Sequence, residues 1–167
     1  MKILRKKVFV ISVAVLLTLG IVFMAYSIIA GQGKLSPYEI NVDIDTDARV
    51  LFATHKTDRK DAIMEEIVQY YRDKPIYISV IDAHTLSDVR IEEWDGVVIF
   101  SAIEFGQPPK EVLSFVRDNE GSDDMALFLT VNSGRWNTDL DIDAITSASR
   151  NIKSNEIVMF IDSIIAK

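Results

Sequence analysis

Cysteine is absent from the 167 residues, so the chain can form neither a disulfide nor a thiolate metal site. Histidine is nearly absent. His55 and His84 are the only two, and without the HExxH spacing that sets two imidazoles on one helix face they give no sign of a zinc site. No acidic residue occurs before residue 31, whereas Lys2, Arg5, Lys6 and Lys7 do. Beyond that point 14 basic residues face all 25 acidic ones. Such a balance argues against nucleic acid as a partner, because phosphate binding needs clustered Lys and Arg. The acidity serves solubility instead. A Walker phosphate loop is missing, and Phe100-Ser101-Ala102-Ile103 lacks the G-x-S-x-G elbow of a hydrolase nucleophile. Glu92-Glu93, Asp123-Asp124 and Asp139-Asp141-Asp143 do not follow calcium-loop spacing and read as solvated turns. Internal repeats and low-complexity segments are lacking as well.

What the chain does contain is one long apolar run. Residues 1–7 form a basic amino-terminal region, and Val8 to Ala30 follow without a charge over 23 residues. At 1.5 Å per residue such a helix spans roughly 30 Å of hydrocarbon. The basic residues before it, with only Lys34 nearby after it, predict a cytoplasmic amino terminus and an extracytoplasmic domain. Two readings of residues 8–30 stand: an uncleaved single-pass signal-anchor helix, or a signal peptide cleaved near Ser27 and a secreted domain. Ala25-Tyr26-Ser27 is an acceptable cleavage site, and the run is longer than the roughly 7 to 15 apolar residues of a signal peptide.

Residues 31–48 are a linker or an edge strand, since Tyr38, Ile40, Val42 and Ile44 alternate with polar residues. From 49 to 167 the pattern alternates strands and helices. Val50-Leu51-Phe52 predicts a strand, and Asp58 a cap for a helix with Ile63, Ile67, Tyr70 and Tyr71 on one side. Ile76 to Ile81 predicts a second strand, followed by an abbreviated crossover with Ser87 as its cap. Val97 to Phe100, unbroken and apolar, predicts a central strand covered on both faces. Pro108-Pro109 then opens a helix bearing Val112, Leu113 and Val116, and Met125 to Val131 is another buried strand. For the remainder, Asp139 or Asp141 is expected to cap a helix with Ile142, Ile145, Ala148 and Ile152 inward. Ile157 to Ile161 is expected to be a fifth strand, leaving no length for a final helix. The whole predicts an α/β, doubly wound, three-layer sandwich around a mostly parallel sheet of about five strands.

Several local runs resemble the flavodoxin family, most closely its menaquinone-linked protoporphyrinogen dehydrogenase branch. They are Val50-Leu51-Phe52-Ala53-Thr54, Trp94-Asp95-Gly96-Val97-Val98-Ile99 with Phe105-Gly106 after it, and Ala126-Leu127-Phe128-Leu129-Thr130-Val131-Asn132. The resemblance covers residues 49 to 161. It implies a flavodoxin-like fold with FMN at the carboxyl ends of the strands. By that likeness Thr54, His55, Lys56, Thr57 and Arg59 would surround the FMN phosphate. Ser101, Phe105, Gly106, Asn132 and Trp136 would lie beside the isoalloxazine. The loop departs from the family pattern, having Thr57 where a small residue, usually Gly, stands and Arg59 where a hydroxyl residue stands. A less flexible loop wraps a phosphate less closely.

Three functions follow as expectations. The first is a membrane-anchored, extracytoplasmic electron carrier with FMN; the second keeps the fold without a cofactor, as a tethered interaction module whose protein partner the sequence does not identify. The third is a quinone-linked protoporphyrinogen oxidase-like enzyme. A response-regulator receiver, which shares the strand order, is excluded, since His55 and Ser101 stand where its acidic and phosphorylated residues would be.

Overall fold

A computed structural model describes residues 2–30, 34–103, 106–131, 140, 143–148 and 152–166, with side chains in the first helix described from 12 to 26. The chain divides into two compact units, Met1–Gln32 and Gly33–Lys167.

The first unit is the helix α1, Lys2–Ala30. Its large apolar side chains are exposed right along the described stretch, Leu16, Leu19, Val22, Phe23 and Tyr26 among them. Among the described residues no helix is long and apolar enough to cross a membrane. The described side chains of α1 stop short of the full run from Val8 to Ala30.

The second unit is an α/β sandwich. Its elements are β1 (Tyr38–Ile40), β2 (Ala48–Thr54), α2 (Asp58–Tyr71), β3 (Ile76–Asp82), β4 (Gly96–Ala102), α3 (Lys110–Asp118), β5 (Met125–Val131), β6 (Asp143–Ala148) and α4 (Ser154–Ile165). Two 3-10 turns, Ala83–Asp88 and Ile91–Glu93, carry the chain from β3 to β4 where a full helix would be usual. The six strands lie in the order β1-β3-β2-β4-β5-β6. All neighbours are parallel except β1, which pairs antiparallel with β3 along the edge. The order of the five parallel strands is the doubly wound, flavodoxin-like one, and its switch point falls between β2 and β4.

Alternation along each strand builds two cores. Val50 and Phe52 of β2 join Ile63, Ile67 and Tyr71 of α2 and Ile157 and Ile161 of α4 on one face. Leu51 and Ala53 join Leu86 and the α3 residues Val112, Phe115 and Val116 on the other. The central strand expected from Val97 to Phe100 is β4, buried on both faces between β2 and β5. Gly96 at its start permits a close approach of α4, since a Cβ there would lie 2.5 Å from Ile164 Cδ1.

Several details differ from the sequence expectations. Residues 143–148 form a strand, not a helix, and β6 extends the sheet beside β5. Ile157 to Ile161 is helical: Ile157, Ile161 and Ile164 are buried while Met159 is exposed, a period no strand would show. A full final helix therefore exists. A short apolar run fits a buried strand and a buried helix equally well, and here the i, i+4, i+7 set decided the outcome. Ile152 is inward, as expected, but precedes α4 and belongs to no helix. The cap of α2 is Thr57, whose side chain accepts from Lys60 N, and Asp58 is its first helical residue. Tyr70 is outward and Met64 takes the buried place. The crossover is capped by Asp82 instead of Ser87. The alternation from Tyr38 yields a strand of three residues only, because Asn41 at φ 60° turns the chain away.

Candidate functional site

Parallel pairing brings three strands to the same rim. Thr54 at the end of β2 lies opposite Asp82 at the end of β3 and opposite Phe100 of β4. The residues that follow, His55, His84 and Ser101, therefore meet beside the switch point between β2 and β4, where open α/β sheets bind ligands.

His55 and Ser101 are fully buried, and Asp82 is nearly so. Ser101 Oγ lies 3.5 Å from His55 Nδ1. The other ring nitrogen, His55 Nε2, is buried and has no hydrogen-bond partner among the described residues. The His84 ring meets that of His55 edge-on, with centroids 4.4 Å apart. Asp82 Oδ1 accepts from His84 N at 2.9 Å and lies 2.6 Å from His84 Nδ1. Its Oδ2 accepts from Leu35 N, which ties the segment preceding β1 to the same carboxylate. Side-chain exposure of 39% for His84 makes it the cluster's opening to solvent.

The electrostatics follow from this packing. Burial pushes the His55 imidazole down to about 3, with Lys60 and His84 adding to the effect and Asp82 opposing it. His55 is therefore neutral near pH 7. For Asp82, burial favours the protonated form, but the hydrogen bonds from His84 N, Leu35 N and the His84 ring outweigh it and hold the carboxyl below its ordinary range. Lys60 is itself buried, its ammonium 5.6 Å from the centre of the Phe100 ring.

The expected site residues thus separate. Thr54, His55 and Ser101 come together. Thr54 is buried and its hydroxyl donates to Phe100 O at 3.0 Å, so it joins two strands. Thr57 caps α2, while Lys56 and Arg59 are exposed. Gly106 is exposed at φ 89°, a backbone state suited to glycine. Phe105, Asn132 and Trp136 lie outside the described residues.

Sequence reasoning did not join Asp82 and His84 to this site, having read His84 as a loop residue. The available signal was position: Asp82 directly follows the apolar run of β3, the strand beside the one that ends at Thr54, and His84 comes two residues later. His55, Asp82 and His84 each offer one donor atom, all within 4.8 Å of one another. Two imidazoles and a carboxylate could hold a divalent cation.

For a flavin phosphate the residues fit poorly. Thr54 gives its hydroxyl proton to Phe100 O and His55 is sealed from solvent; Thr57, which accepts from Lys60 N, keeps a proton to donate, and Asp58 and Asp61 offset Arg59 and Lys60 in the first turn of α2. In comparisons with known proteins, no family model matches the chain, and no curated protein matches it.

Proposed function

We propose that this protein is a membrane-anchored domain, displayed outside the cytoplasm, that acts as a cofactor-free binding module on a flavodoxin-like scaffold. The observation that carries the cofactor-free part is the loop after β2. Thr54 gives its hydroxyl proton to Phe100 O, Thr57 caps α2 by accepting from Lys60 N, and Asp58 and Asp61 offset Arg59 and Lys60 at the helix start. A dianionic phosphate would find one hydroxyl proton there, that of Thr57, and a helix start whose side chains carry no net positive charge. The anchor rests on the uncharged residues 8–30, the basic residues before them and the exposed apolar side chains of α1. A helix apolar all round is one that lipid or a large core must cover.

The test is an absorbance spectrum of the full chain purified in detergent, before and after adding FMN and dialysing. A folded, flavin-free protein whose spectrum and melting curve ignore FMN is expected. Retained flavin at one equivalent would reverse the reading in favour of an electron carrier. The anchoring is checked separately: proteinase added to intact cells should digest the domain and leave a membrane-embedded amino-terminal fragment.

A further inference from the structure

We propose that His55, Asp82 and His84 form a binding site for one divalent transition-metal ion of the zinc class. The argument begins with the orphan nitrogen. A buried polar atom without a partner costs about 1 to 3 kcal/mol, and His55 Nε2 is such an atom in a side chain sealed from solvent. Ser101 Oγ, 3.5 Å from Nδ1, can accept a hydrogen bond from Nδ1–H, the tautomer that leaves the lone pair on Nε2. A hydrogen bond from one ring nitrogen that readies the other for a metal is the usual support of a histidine ligand.

The other two donors complete the set. Asp82 supplies an anion held by main-chain N–H groups from two directions, His84 N and Leu35 N. His84 stands on a 3-10 turn and is partly exposed, so it is the donor free to adjust. Zinc bonds of about 2.0 to 2.2 Å imply donors roughly 3.3 Å apart in a tetrahedron. The three donors already lie within 4.8 Å of one another, and a bound cation would draw them together, with His84 giving up its present 2.6 Å contact to Asp82 Oδ1. A fourth donor, from water or a partner, would have to enter past His84, the exposed member of the set. Lys60 opposes the cation, so the site binds more weakly than a four-ligand structural zinc centre.

The chain suits a direct test, because it has no cysteine and only these two histidines. The full-length protein, prepared in detergent without a histidine tag and stripped with chelator, is titrated with Zn2+ by calorimetry and with Co2+ by visible absorbance. One equivalent should bind, and the cobalt adduct should show the intense bands of a four-coordinate ion. His84→Ala should lower affinity at least 100-fold while the metal-free variant stays folded, any fall in its melting temperature reporting only the lost contacts with Asp82 and His55. Ser101→Ala should lower it about 10-fold, and Lys60→Gln should raise it. Absence of a one-equivalent transition in the wild type overturns the site, and so does a His84→Ala variant that binds as the wild type does. Either result leaves the flavin test untouched, since the two readings rest on different atoms.

Discussion

Asn41 shows how much one side chain can fix. Its Nδ2 is 2.8 Å from Tyr71 O, 3.1 Å from Lys74 O and 2.8 Å from Ile76 O, and its Oδ1 accepts from Asp73 N. These contacts tie the end of β1 to the turn between α2 and β3, and they need the left-handed backbone at φ 60° that asparagine tolerates. Asn41→Ala loses both the bonds and the conformational preference, and should cost about 2 to 3 kcal/mol in urea unfolding. Asn41→Gly keeps the backbone and should cost less than alanine does. Equal losses in the two variants would show that the conformation contributes nothing. At this scale the sequence revealed half of the candidate site. Thr54, His55 and Ser101 follow apolar runs and could be placed on strand ends. Asp82 and His84 could not be joined to them, because their proximity comes from the Thr54–Asp82 register, and register is a property of strand pairing.

At the scale of elements, the contact between α2 and α4 rests on a small polar group within an apolar seam. Tyr71 is fully buried, and its hydroxyl donates to Asp162 Oδ1 at 2.8 Å and to Val158 O at 3.1 Å. Tyr70 OH donates to Asp162 Oδ2 at 3.2 Å. Burial, then the bond to Asp162, drives the Tyr71 phenol far above its ordinary range, so it remains a donor at any pH the fold survives. Tyr71→Phe should destabilise the protein by about 1 to 3 kcal/mol, read from the denaturation midpoint, while Tyr70→Phe should cost under about 1 kcal/mol. The same elements mark where pattern reading failed. β4 and β5 were legible because each is an apolar run bounded by Gly96 or by acidic residues. The segment from Ile142 to Ile165 was not. Its first half mimics helical spacing through Ile142, Ile145 and Ala148, and its second half, Ile157 to Ile161, is apolar at every position. Only packing against α2 and the sheet distinguishes them.

For the molecule as a whole, the sheet is best secured at its centre and least at the β1 edge. β4 is paired on both sides and covered on both faces, whereas β1 contributes three residues to one neighbour. Hydrogen exchange should therefore be slowest for amides of β4 and β5 and fastest, among the strands, for Tyr38–Ile40. The Leu35 amide, bonded to Asp82, should open together with β1. Protection of β1 equal to that of β4 would contradict this ordering. A mechanical consequence follows from where the second unit receives the chain. Tension entering at Lys34 meets the bond from Leu35 to Asp82 first and the short ladder of β1 next. An antiparallel pair pulled from one end yields like a zipper, one rung at a time, whereas the parallel strands beyond it would have to slide together. The edge can thus give way as a fuse, releasing residues 34–40 and loosening the backbone's hold on Asp82 while the remaining sheet stays intact.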